Sequence, residues 1–74
     1  MKKKFLVSYD YGMGAVWAII KARSREEILK KYPPLQVHDK RPPWMSWFLY
    51  KRIEFKDTYD IDDEPRGWLA KIEI

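Results

Sequence analysis

Lys4-Phe5-Leu6-Val7-Ser8-Tyr9-Asp10-Tyr11-Gly12-Met13-Gly14-Ala15-Val16-Trp17-Ala18-Ile19-Ile20-Lys21-Ala22 decides the fold class. Its first eight residues alternate with period two, which sets Phe5, Val7, Tyr9 and Tyr11 on one face of a strand. Gly12-Met13-Gly14 supplies the backbone freedom of a tight hairpin turn. The residues after it are β-branched and apolar, with Trp17 and Ile19 on one face and Val16, Ala18 and Ile20 on the other. A strand apolar on both sides expects cover on both sides. The glycine pair also invites comparison with a dinucleotide-binding fingerprint. The third glycine position is Trp17, however, and a strand rather than a helix follows, so the turn reading stands.

Downstream, Ser24-Arg25-Glu26-Glu27 has the pattern of a capping box, in which a serine hydroxyl and a glutamate carboxylate satisfy the free backbone donors of a helix start. A helix over about 24–32 follows, with Glu26 and Glu27 at its favourable end for acids and Lys30 and Lys31 at the other. Pro33-Pro34 stops it. Residues 35–39 read as a short strand, and Pro42-Pro43 as a turn. Residues 43–48 read as a short helical turn leading into a strand over 50–56. Residues 57–64 read as a polar, acidic connection, and 68–74 as a closing strand. The expected architecture is α+β: an antiparallel sheet of four or five strands, order ββαβ(short helical turn)ββ, with one main helix on one face.

The 74 residues bound what such a fold can hold: one domain, 1–74, near the lower size limit for folding unaided. There is no cysteine, so neither disulfides nor Cys-type zinc sites contribute. The load falls on twelve aromatics, of which Phe5, Tyr9, Trp17 and Phe55 are expected in the core. The longest apolar run, 15–20, is far short of a membrane span. Lys2-Lys3-Lys4 before Phe5-Leu6-Val7 imitates the start of a signal peptide, but Ser8 and Asp10 end the apolar region too early. A cytoplasmic location without membrane association is expected.

Four aromatics gather in Arg41-Pro42-Pro43-Trp44-Met45-Ser46-Trp47-Phe48-Leu49-Tyr50-Lys51-Arg52, between basic pairs. Such density is core, docking surface or nucleobase platform. Trp44, Met45, Trp47, Phe48 and Tyr50, with Arg41, Lys51 and Arg52 at the rim, are the candidate binding residues. Tyr50, Arg52, Glu54 and Lys56 on one strand face would also suit single-stranded nucleic acid, although no RNP-type aromatic motif or helix-turn-helix accompanies them. Charge is divided along the chain: 1–56 carries 13 Lys or Arg against 5 Asp or Glu, and 57–74 carries 2 against 6. A basic body with an acidic C-terminal segment can bind a polyanion or pair with itself within or between chains, and in the second case the acidic segment neutralises the basic brackets internally.

Catalytic signals are thin. Asp60-Ile61-Asp62-Asp63-Glu64 resembles the start of a calcium loop, but Pro65 stands where glycine is needed and Lys71 where the bidentate glutamate belongs. His38 is the only histidine, and Ser8, Ser24 and Ser46 lie in no nucleophile-type context. No cofactor is expected. The leading reading is a non-enzymatic interaction module for a protein partner or for itself, as a homodimer. The second is a single-stranded nucleic-acid binder, and the third a divalent-metal enzyme using Asp62, Asp63 or Glu64.

The pieces FLVSYDYGMGAVWAII, SREEILKKYPPLQVHDKRPPWM and DIDDEPRGWLA resemble a group of small uncharacterised bacterial proteins, a domain of unknown function. Members commonly carry an acidic helical stretch after the Pro-Trp-Met, where this chain has the aromatic Ser46-Trp47-Phe48-Leu49-Tyr50. The resemblance implies a compact prokaryotic domain, and neither an activity nor a cofactor.

Overall fold

Alternation in the first two segments produces strands β1 (Lys3–Asp10) and β2 (Ala15–Ala22) in the computed structural model, which describes residues 1–72. They pair antiparallel from Lys3↔Ala22 to Asp10↔Ala15. The turn between them is closed by Tyr11 N donating to Gly14 O and by Gly12 N donating to Asp10 Oδ1. Gly12 has φ 94°, a conformation that a side chain would strain. Strands β3 (Gln36–His38) and β4 (Thr58–Asp60) flank this pair, giving the order β3-β1-β2-β4.

Helix α1 (Arg25–Lys31) begins as its capping pattern predicts, with Ser24 Oγ accepting from Glu27 N at 3.2 Å. The Glu27 carboxylate reaches one residue further back than in a standard box and accepts from Arg23 N at 2.8 Å. Ile28 is the fully buried residue of α1. It packs with Val7, Ala18, Ile20, Tyr32, Leu35, Ile61 and Leu69 in the larger core cluster, on one face of the sheet.

The opposite face carries Leu6 and Ile19, buried with Met45 and covered by Trp17, Tyr50 and Ile53. Tyr50 and Ile53 belong to α2 (Trp47–Lys56), so a second helix covers the second face. This corrects the reading of 43–48 as a helical turn and 50–56 as a strand. Ser46 Oγ accepts from Leu49 N at 3.1 Å and caps the helix. Trp47, Tyr50 and Ile53 recur at intervals of three, which a helix places along one side.

Two further expectations are corrected. The sheet is mixed, because β4 lies parallel to β2, with Ile19 N donating to Asp57 O at 2.8 Å and Ile61 N to Lys21 O at 2.9 Å. The acidic connection thus contains an edge strand, with Tyr59 packed against the larger cluster. The closing segment is also no strand where it is described: Gly67–Ala70 forms a 3₁₀ turn, η1. Its Trp68 and Leu69, followed by Ile72, pack on the larger cluster, a spacing that period two cannot deliver. The end of the expected strand, 73–74, lies outside the described residues.

Candidate functional site

Helix α2 rests on the sheet through one side only, and none of its residues is fully buried. The chain reaches it through a tight turn in which Met45 N donates to Pro42 O at 3.0 Å. That turn sends Met45 inward against Leu6 and Ile19 and leaves Trp44 62% exposed. The Trp44 and Trp17 rings meet in an edge-to-face arrangement with their centres 5.3 Å apart. Trp47 is half exposed, with its ring 5.9 Å from Phe48 and the Lys51 ammonium 5.4 Å from its centre.

The outer side of α2 is unusually apolar for a surface helix. Phe48 is 81% and Phe55 89% exposed, and Leu49 is partly so. Phe55, expected in the core, is therefore a surface residue, because a helix turns it away from the sheet that a strand would have faced. Phe48 and Phe55 border an open concavity of about 570 Å³ lined also by Ser46, Leu49, Lys51 and Arg52. A smaller one, about 230 Å³, lies among Arg41, Trp47, Tyr50 and Lys51. Of the candidate residues, the structure thus gathers Trp47, Phe48, Lys51 and Arg52 on or beside one helix face. It puts Met45 in the core and Tyr50 mostly inside.

Charge around this face is basic. Glu54 is the acid of α2, and it already holds Lys4 at 3.0 Å and Lys51 at 3.1 Å, which draw its pKa down. The acidic segment serves another place. Asp60 and Asp62 both lie 2.6 Å from Lys2, and Asp62 is 2.9 Å from Arg23. Lys31 Nζ donates to the carbonyls of Ile61 and Asp63 at 2.6 and 2.8 Å. The expectation that this segment neutralises the 41–52 brackets is overturned. Its partners are Lys2, just ahead of β1, Arg23, just ahead of the cap of α1, and Lys31 at the end of α1.

Ion pairs also bear on a divalent site, since Asp62 is engaged by Lys2 and Arg23 and Asp63 lies 3.7 Å from the Arg66 guanidinium. Among the described residues, no group of three His, Asp or Glu side chains is placed to hold a metal ion. Arg23, then Lys2, lowers the Asp62 pKa to about 2. A carboxylate with a depressed folded-state pKa contributes stability that is complete above its unfolded value of about 4 and lost as pH falls to about 2. We therefore expect a melting temperature that is flat from pH 5 to 8 and drops between pH 4 and 2. Asp62→Asn should reduce that acid slope, and an unchanged slope in the variant would contradict the assignment.

One contact escaped sequence reading altogether. Ser8 Oγ and His38 Nε2 share a hydrogen bond at 2.9 Å, and the Trp17 ring stacks on the imidazole at 4.9 Å. No local signal points to it, because β1 and β3 are joined by their register, Leu6↔His38 and Ser8↔Gln36, across 30 residues. Ser8 is buried at 4% exposure. Asp39, which would orient the imidazole in a nucleophilic site, pairs with Arg25 at 3.1 Å instead. The pair satisfies a buried hydroxyl. No protein-family model, curated protein or solved structure matches the chain.

Proposed function

We propose that the chain is a non-enzymatic interaction module that docks a protein partner on the outer face of α2. The observation carrying this reading is the exposure of Phe48, Leu49 and Phe55 on one helix side, with Trp47 adjoining and Arg41, Lys51 and Arg52 around them. Aromatics of this size contribute roughly 150–250 Å² each, so the patch reaches the order of 500 Å², the scale at which surface patches are commonly functional. A partner covering it would bury about 800 Å² per side with a polar rim included. Self-association is the weaker form of this proposal, because a symmetric contact through α2 would set Lys51 and Arg52 against their own copies.

The anionic dye 8-anilinonaphthalene-1-sulfonate tests the reading. At pH 7 the folded protein should enhance its fluorescence, and the double variant Phe48→Ser/Phe55→Ser should lose most of the enhancement while keeping its circular dichroism. A native protein that leaves the dye dark would sink the proposal. The second reading, single-stranded nucleic acid, draws on the hollow among Arg41, Trp47, Tyr50 and Lys51, where cations flank aromatic rings. It requires tryptophan quenching by an oligonucleotide that weakens with salt.

A further inference from the structure

Resting on the docking reading above, we propose that the partner element is an amphipathic α-helix with acidic residues beside its apolar stripe. Three observations point to this occupant. Phe48 and Phe55 stand seven residues apart, about 10 Å along the axis, so the concavity between them spans two helical turns. Leu49, Lys51 and Arg52 line it together with those two rings. That relief accepts the side-chain ridge of a second helix.

The backbone of α2 gives the second observation. Its N–H and C=O groups are committed to the helix and its caps, with Tyr50 N donating to Ser46 O and Asp57 N to Ile53 O. Nothing there can be extended by adding a strand. Recognition must run through side chains, as when an apolar helix face lies in a groove.

Charge is the third. Arg41, Arg52 and Lys56 have no carboxylate partner among the described residues, and the one acid on α2 is shared by two lysines. The acidic segment of the chain is held elsewhere by Lys2, Arg23 and Lys31. The rim is thus left positive, and carboxylates flanking the apolar stripe of the partner complete it. The concavity favours a protein over a lipid surface, because a bilayer supplies no ridge to fill it.

The test uses two synthetic helical peptides with leucines at i, i+3, i+4 and i+7, identical except that one carries glutamates and the other lysines beside the stripe. Binding is followed by peptide fluorescence anisotropy at low salt. The glutamate peptide should bind at least about tenfold tighter than its lysine twin. Arg52→Glu should erase that preference, and Lys51→Gln, a milder change to the Glu54 pair, should diminish it. Phe48→Ala should weaken both peptides. Equal binding of the twins, or a preference untouched by Arg52→Glu, overturns the proposal.

Tighter retention on phosphatidylglycerol vesicles or on a thymidine oligonucleotide than on the glutamate peptide also overturns it, and assigns the face to lipid or nucleic acid. Concentration-dependent dimerisation through Phe48 and Phe55 assigns it to a second copy. Should the dye bind natively and depend on Phe48 and Phe55 while the twins bind alike, the docking surface stands and the acidic helix falls. If the dye fails as well, both fall together.

Discussion

Ile28→Ala is expected to lower the melting temperature by roughly 10–25 °C, the shift that a loss of about 3 kcal/mol produces in a domain of this size. Ile28 is the fully buried residue of the seven-residue α1 and packs with Tyr32 and Leu35 in the larger cluster. Truncation there removes the transfer energy of the side chain and leaves a cavity that close-packed neighbours fill only in part. A chain of 74 residues has a total stability of about 4–11 kcal/mol, so such a loss is a large fraction of it. Thermal unfolding followed by circular dichroism measures it directly. A shift of less than about 5 °C would mean that α1 is held chiefly by its polar anchors, Arg25 on Asp39 and Lys31 on the carbonyls of Ile61 and Asp63, rather than by Ile28.

Met45→Ala and Trp44→Ala make the second test, because their expected order is the reverse of their side-chain size. Met45 is 2% exposed and joins Leu6 and Ile19 in the smaller cluster, so its loss should cost about 2–3 kcal/mol and loosen the base of α2. Trp44 is largely exposed, and what it offers the fold is an edge contact with Trp17. Its removal should cost no more than about 1.5 kcal/mol. Denaturant unfolding of both variants gives the two values. A costlier Trp44→Ala would show that the turn at 42–45 points the opposite way.

The contrast between these neighbours also marks where sequence reading stops. The hairpin and α1 were legible because their signals are local: period two in the strands, Gly12 and Gly14 at the turn, Ser24 and Glu27 at the cap. Strand β4 gave no such signal. Thr58-Tyr59-Asp60 is short and half polar, and it is a strand because Ile19 and Lys21, distant in sequence, offer it a paired edge. Helix α2 was hidden by its own composition, since the consecutive large residues Trp47, Phe48, Leu49 and Tyr50 satisfy a period of two and one of 3.6 equally well. Ser46 marked its start, and no acid in the first turn reinforced it.

For the candidate site, aromatic density and the basic brackets were visible, whereas the division into Met45 within and Trp44, Phe48 and Phe55 without depends on turn geometry. Charge was misread for a related reason. Composition shows an acidic segment and a basic one, but only the fold shows that Asp60 and Asp62 meet Lys2 and Arg23 rather than Arg41 or Arg52.

Everything proposed for α2 requires that its outer face contribute little to the fold of the isolated chain. The melting temperature of Phe48→Ser/Phe55→Ser tests that requirement most directly. Exposed positions usually change stability by less than about 0.5 kcal/mol each, so the variant should melt within roughly 8 °C of the parent protein. A drop of more than about 10 °C would place both rings in the core and contradict the account.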